Sequence, residues 1–314
     1  MMTRLNRRSV ILLALATMMA LLPLVFPSSY YFRVASLVWV SALAAIGLNI
    51  LMGKAGQVSL GHAGFFGIGA YAVAIGPAHL GVNALAAVGI GALLSGLLAF
   101  LVGRPILRLK GHYLAIATLG LGVLIAMVIT TESRWTGGPD GMPVAKLVLF
   151  GWRVSGSDTW YWITAGLLLI GTWIALNLDD TPTGRAFRAL HDSETAARVA
   201  GVAVNRFKLQ AFVIAAVYAS VAGSALAMMN GFVNPDQAGF LHSVELVTMV
   251  VLGGLGSIVG SIVGAAVLVV LPQALTVFQE YEHFMLGLLI IVSMIFMRDG
   301  MVPMLARLIT RGRR

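Results

Sequence analysis

Apolar runs long enough to cross a bilayer follow one another along almost the whole chain, and they leave few folds open. A helix needs ~20 apolar residues to span ~30 Å of hydrocarbon. Runs at 10–27, 34–52, 63–80, 83–103, 112–131, 159–178, 209–229 and 284–298 fit that scale, and a longer run at 244–271 is interrupted by glycine. Backbone amides in lipid must be paired inside the protein, so helices or a closed barrel are the only spanning structures. Barrel strands alternate in polarity, and these runs do not. The expected fold is therefore all-α and integral to the membrane. It is a polytopic helical bundle of about 8–10 spans, with Gly-broken or re-entrant helices.

Composition agrees. Hydrophobic residues make up 59% of the chain and charged residues 11%, whereas soluble domains carry roughly a quarter charged. So few charges cannot cover a globular surface, and lipid must be the outer solvent. The 36 glycines suit helices that approach closely in a bilayer. The absence of cysteine excludes disulfides, thiolate metal sites and Cys nucleophiles. A net charge of +9 raises the question of nucleic acid. The basic residues sit in short gaps between apolar runs, so the expected partner is membrane lipid and not nucleic acid. Arg4, Arg7 and Arg8 ahead of 9–26 have the outline of a signal peptide. No convincing small-x-small cleavage site follows, and the segment reads as the first membrane helix.

Lys and Arg set the orientation, because cytoplasmic loops carry the excess. With both termini cytoplasmic and the spans alternating, only Arg33, Arg134, Lys146 and Arg153 of the 21 Lys and Arg residues fall outside. Parity then constrains 244–271. Seven spans precede it, and the last span must return a basic tail to the inside. The run therefore enters and leaves on one side, as two half-helices meeting near Gly253 to Ser257. The chain is one transmembrane domain, 1–314, with a periplasmic loop at 132–158 and a cytoplasmic loop at 179–208. Trp135, Trp152, Trp160, Tyr161 and Trp162 flank the outer loop as an interfacial aromatic belt would.

Three segments carry information beyond hydropathy. In 56–71, Gln57, Ser59 and His62 stand beside a Gly-dense helix start. Polar groups at membrane depth point inward unless they are wetted. They either line a translocation path or hold a broken helix by hydrogen bonds. Gly61, Gly64 and Gly67 recur every three residues and offer a smooth packing face. In 251–264, Gly256, Gly260 and Gly264 form a double small-x-x-x-small ridge for helix packing. The Gly253-Gly254 break beside it, with Ser257, offers a gate or pore loop. In 180–202, Asp192 or Ser193 can cap a short helix that Gly201 closes. Its small-residue surface at Ala196, Ala197 and Ala200 suits docking in a partner's groove or resting on headgroups.

What is missing matters as well. There is no G-x-x-x-x-G-K-[ST] phosphate loop and no H-E-x-x-H, so no cofactor, metal or catalytic residue is expected and the chain is not read as an enzyme. Its spans hold His62 and His79, and Glu245 near an edge. That is little for a proton- or sodium-driven carrier, which keeps ionisable groups at mid-membrane. Energy must come from elsewhere.

The G-x-x-S-L-G-H-A-x-F-F-G-x-G-A-Y pattern at 56–71, the stretch Gly184 to Leu209 and the Gly253-Gly254-Leu255-Gly256-Ser257 run resemble branched-chain amino acid ABC permeases of the LivM type, in the family's order along most of the chain. The resemblance implies an importer in the bacterial inner membrane. Its parts would be two different permease subunits, two cytoplasmic ATPases and a periplasmic solute-binding protein. It implies branched-chain amino acids as cargo, although such families also carry urea, amides or other amino acids. It makes Glu194, Ala196, Ala197 and Gly201 the ATPase-coupling segment. Ala196, Ala197 and Gly201 keep the Glu-Ala-Ala…Gly spacing, while Thr195 stands where the Glu would be. It also leaves Lys54 unexpected, where an uncharged residue belongs. A stand-alone carrier or channel remains the competing class.

Overall fold

The computed structural model describes residues 2–149 and 152–274, together with Gly287, Gly300, Met301 and Met304. The last candidate span, 284–298, lies outside the described residues apart from Gly287. Among the described residues, six helices are long and apolar enough to cross a membrane. They are α1 (Met2–Val25), α2 (Ser29–Asn49), α4 (Ala84–Ile106), α5 (His112–Thr131), α7 (Ser157–Asp180) and α10 (Val204–Asn230), with α2 prolonged by a π-helical turn, Ile50–Lys54. Between α2 and α4 lies α3 (His62–His79), an 18-residue helix. Short helices complete the set: α6 (Ser133–Thr136), α8 (Pro182–Asp192), α9 (Glu194–Val199), α11 (Phe240–Gly253) and α12 (Ile258–Ala274).

The long helices alternate between two ends. One end is basic. It collects the start of α1, the close of α2 at Lys54, the α4–α5 connection with Arg104, Arg108 and Lys110, and helices α8 and α9. The far end holds 132–158, which contains α6, a 3-10 turn and short strands. Its strand β1 (Met142–Pro143) pairs antiparallel with Phe232–Val233, which follows α10, and Val148–Leu149 pairs with Trp152–Arg153.

The run 244–271 is not one crossing. Helix α11 descends from the far end, the chain turns at Gly254–Ser257, and α12 climbs back. Two contacts fix the hairpin's two ends. Gly256 and Ser257 line a cavity with Arg8, Lys54 and Asp179 at the basic end. Gln273 accepts a 2.6 Å hydrogen bond from Tyr30 Oη at the start of α2, the opposite end. Gly300 lies against Gly254, back at the basic end. Two half-helices meeting at Gly253–Ser257 are therefore the structure's solution to the parity problem.

Two sequence expectations need correction. Gly256 does not belong to a helical ridge. It sits in the turn with φ +78°, in the left-handed region that glycine tolerates, so it follows α11 and precedes α12. The packing face shrinks to Gly260 and Gly264. A Cβ there would lie 2.4 Å from the Gly253 carbonyl and 1.9 Å from the Met249 carbonyl, so both face α11 of the same hairpin. The aromatic belt also loses members. Tyr161 is fully buried and donates a 2.6 Å hydrogen bond from its hydroxyl to the Met19 carbonyl of α1, and Trp160 is buried too. Phe26, Phe32 and Trp39 pack edge-on around the Tyr161 ring. Tyr161 thereby stitches α7 to α1 and α2, while Trp135 and Trp162 stay exposed.

Candidate functional site

The core of the site is the place where α2 fails to continue as an α-helix. Its last turn widens to a π-helix at Ile50–Lys54, with Ala55 N–H bonding the Ile50 carbonyl at 3.2 Å. Such turns are uncommon and frequently mark functional positions. Asn49 stands just before it, buried. Its Nδ2 donates to the Gly254 carbonyl at 3.2 Å, the Ser257 carbonyl at 2.9 Å and Ser261 Oγ at 2.7 Å. Its Oδ1 accepts the Gly256 N–H at 2.7 Å. One amide side chain thus gathers the backbone of the re-entrant turn and supplies the acceptor for its Gly256 N–H. Gly53 makes room for this, because a Cβ there would lie 2.0 Å from Asn49 Oδ1 and 2.1 Å from the Gly256 nitrogen.

After the π-turn, 55–61 runs without helix before α3 begins. Burial alternates along it: Gln57, Ser59 and Gly61 face inward, while Gly56 and Val58 are exposed. Gln57 Nε2 and Oε1, Ser59 Oγ and both ring nitrogens of His62 are buried without a hydrogen-bond partner. The His62 ring lies near the Ala215 carbonyl of α10, outside bonding geometry. Each unpaired buried group costs about 1–3 kcal/mol. Five such atoms within six residues form a concentrated polar debt in the middle of the bundle.

The segment is held at three points. At its start, Gly56 abuts His191 of α8, whose Cα lies 3.3 Å from where a Gly56 Cβ would be. Farther on, Leu60 N–H bonds Thr118 Oγ1 at 3.2 Å. Gly61 presses on the Thr118 carbonyl, 1.9 Å from an added Cβ. At the start of α3, Ala63 N–H bonds Ser243 Oγ of α11 at 3.0 Å. Gly64 and Gly67 continue the contact, toward Gly122 and Ile125 and toward Ala238 and Ile129. Helix α3 therefore runs parallel to α5 and begins part-way along it. It is the second half of a helix broken at depth, and its glycines let it pass within backbone contact of α5.

Beneath the turn lies an ion-pair network that joins four elements, α1, the π-turn, α7 and α8. Asp179 bonds Lys54 at 2.7 Å and Arg188 of α8 at 2.7 Å. Asp180 pairs with Arg8, whose other nitrogen donates to Asn177 Oδ1 at 3.0 Å. Lys54, the unexpected cation, is thereby explained. It ends the π-turn against the carboxylate that also holds the 179–208 connection. The network walls a cavity of about 460 Å³ that Gly256 and Ser257 close from above.

The connection itself is two helices. Thr181 caps α8, accepting the Gly184 N–H, and Ser193 caps α9, accepting the Ala196 N–H. Ser193, rather than Asp192, is the cap. Gly201 follows α9 with φ +83° and open space around its Cβ position. Ala197 is buried, Ala196 is exposed, and Val199 is 86% exposed. Glu194 pairs with Lys208 of α10, whose side chain is only 3% exposed. A buried ammonium has to be paired, so this link ties α9 to the base of a core helix. At the far end, Glu245 is exposed and lies 3.2 Å from His242.

Sequence reasoning missed Asn49, Asp179 and Lys208. Asn49 carried a readable signal, since a lone amide at the close of an apolar span needs an internal partner. Asp179 and Lys208 lie at the edge of the bundle, where charge is ordinary, and nothing local betrays their partners.

Residues 30–294 match the family described as "Branched-chain amino acid transport system / permease component". The chain is similar to the high-affinity branched-chain amino acid transport system permease protein LivM of Escherichia coli K12, at 35% identity over 295 residues, covering 86% of this chain and 69% of that protein. Its likeness to LivM of Salmonella typhimurium is 34% over the same length and shares. The autoinducer 2 import system permease protein LsrC of an Enterobacter species is 30% identical over 305 residues, covering 91% of this chain and 85% of that one. No solved structure matches. With the family matched across most of its length and a polytopic helical bundle to accompany it, this chain belongs to the branched-chain amino acid transport system permease family.

Proposed function

We propose that this chain is one membrane-spanning subunit of an ATP-driven importer for branched-chain amino acids. Its solute path would run past the broken segment 55–61 and the re-entrant turn. One observation carries the reading: the concentration of unpartnered polar atoms on Gln57, Ser59 and His62 at the helix break. A buried group without a partner calls for an explanation. A path that is shut in this conformation and wetted when open supplies one. Gly254 and Ser257, gripped by Asn49, then form the movable wall beside it.

The motor is borrowed. Docking of partner ATPases on α9, around Glu194, Ala196, Ala197 and Gly201, would move α8 and α9 together. That displacement has two direct routes inward, Glu194 to Lys208 on α10 and Arg188 through Asp179 to Lys54. The His191–Gly56 contact adds a third, straight onto the broken segment. The remaining partners are a second homologous permease subunit and a periplasmic solute-binding protein. The excess of Lys and Arg at one end supports a cytoplasmic position for that end, with 179–208, in a bacterial inner membrane. The likeness to LivM supports branched-chain amino acids as the cargo, and the likeness to LsrC supports a neighbouring class of small polar solutes as the alternative.

The test is reconstitution. Proteoliposomes containing the chain, its partner permease, the ATPases and the binding protein should accumulate labelled leucine only with ATP. Accumulation by the chain without ATPases, following an ion gradient, would make it a secondary carrier.

A further inference from the structure

At the basic end, the last turn of α4 and the first turn of α10 border an open cavity of about 470 Å³ that plays no part in the path or the docking loop. Arg104 and Arg108 come to it from α4 and the residues just after it, and Arg206 comes from α10. None of the three forms an ion pair with a carboxylate among the described residues. This contrasts with Arg8, Lys54, Arg188 and Lys208, all of which do. Three exposed guanidinium groups around one hollow offer donors and positive charge that suit an anion.

The floor and one side of the hollow are apolar. Phe100 lines it, and the Arg104 guanidinium lies 4.3 Å over the Phe100 ring. Above Phe100 on the same face stand Leu97 and Leu93, at helical spacings of three and four, and both are exposed. The apolar stripe rises about 16 Å from Arg104 to Leu93. A soluble partner at the basic end could reach the arginines but not the stripe. A molecule with a phosphate at one end and a hydrocarbon chain at the other would match both.

We propose that this cavity is a binding site for an anionic phospholipid. The phosphate would sit among Arg104, Arg108 and Arg206, and an acyl chain would lie along Phe100, Leu97 and Leu93. Basic pockets between membrane helices on the cytoplasmic side take such headgroups, and the planar guanidinium suits phosphate oxygens. The site rests on the chain lying in a membrane and not on the identity of its solute or motor, so it can fail without touching the transport reading.

The experiment is native mass spectrometry of the full chain released from detergent, offered cardiolipin or phosphatidylcholine. The expected result is a preference for cardiolipin on the order of 100-fold, the product of three arginine contacts. The triple variant Arg104→Gln/Arg108→Gln/Arg206→Gln should bind the two lipids alike. A charge-matched variant, Arg134→Gln/Arg185→Gln/Arg198→Gln, alters arginines outside the cavity lining and should keep the preference. Arg206→Gln alone removes the contact from the second helix and should lower the preference about fivefold. Inorganic phosphate at millimolar concentration should not displace the lipid, because it cannot use the stripe. Equal binding of both lipids by the unaltered chain, an unchanged preference in the triple variant, or full displacement by phosphate would each overturn the site. Loss of ATPase co-purification in the triple variant with lipid preference intact would do so too, by making the arginines a protein-docking surface.

Discussion

Asn49 holds Gly256 across 207 residues of chain: the amide oxygen of one receives the backbone N–H of the other at 2.7 Å. The bond ties the widened end of α2 to the turn of the re-entrant hairpin. The two breaks in the bundle are thereby one construction. Movement of either must strain or release the other.

Asn49→Ala takes the acceptor from the Gly256 N–H and the side-chain donor from the Gly254 and Ser257 carbonyls, which keep the backbone N–H groups of Ser257 and Ser261. The expected destabilisation is about 1–3 kcal/mol, from a lost network and one stranded backbone donor. Ser261→Ala removes one acceptor only and should cost about 1 kcal/mol. Thermal unfolding of the purified protein in detergent separates the two. Equal midpoints for Asn49→Ala and the unaltered chain would mean that the turn does not depend on this side chain.

Glu194 and Lys208 form an asymmetric pair, one partner 31% exposed and the other 3%. Glu194→Gln strands a buried ammonium and should cost about 3 kcal/mol, with loss of transport. Glu194→Gln combined with Lys208→Met removes the stranded charge, and stability should return to near the unaltered value. Transport should not return with it, because α9 is still uncoupled from α10. A double variant no more stable than Glu194→Gln would show that burial of the Lys208 charge is not what the pair resolves.

Asp179 is the shared carboxylate between Lys54 and Arg188. Asp179→Asn should leave the protein folded, since all three groups retain some access to water. It should loosen α8 from the π-turn. The expected phenotype is partial uncoupling: ATP hydrolysis by the assembled transporter continues while leucine uptake falls at least ~tenfold, which corresponds to about 1.4 kcal/mol of coupling. Hydrolysis and uptake falling in the same proportion would place Asp179 outside the transmission route.

The glycines divide by their surroundings. Gly61→Ala drives a methyl to 1.9 Å from the Thr118 carbonyl, a backbone atom that cannot step aside. Overpacking of this kind costs about 1–3 kcal/mol, and it should also displace α3 from α5. Gly120→Ala, on the same α5 but with nothing within 4 Å of the added carbon, should leave the melting temperature within a degree or two. Similar losses from both would argue against backbone contact between α3 and α5.

Much of this architecture was legible before any coordinates. Hydropathy and the count of Lys and Arg residues were enough to require a re-entrant hairpin at 244–271, because a single crossing would have stranded the basic tail. A cap at Asp192 or Ser193 and the left-handed Gly201 followed from local chemistry, and the structure chose Ser193. Other features were hidden for physical reasons. Gly256, Gly260 and Gly264 are evenly spaced, and spacing alone cannot tell a helical ridge from a turn that merely precedes one. Tyr161 carries the same amphipathic ring whether it lies at a headgroup or donates to a carbonyl inside the bundle. Lys54 and Asp179 are 125 residues apart, and pairings at that range depend on which helices become neighbours, which periodicity does not encode. The Gln57–His62 segment was recognised as polar at depth. Its inward-facing burial in this conformation required the structure.

The central claim is that a motor outside the membrane acts through the 179–208 connection. The chain has no cysteine, so Val199→Cys on the exposed tip of α9 gives a single addressable thiol. A membrane-impermeant maleimide should label it in inverted inner-membrane vesicles and not in intact spheroplasts, and adding the partner ATPases should protect it. Labelling from the outside of spheroplasts, or labelling that the ATPases do not affect, would contradict the account.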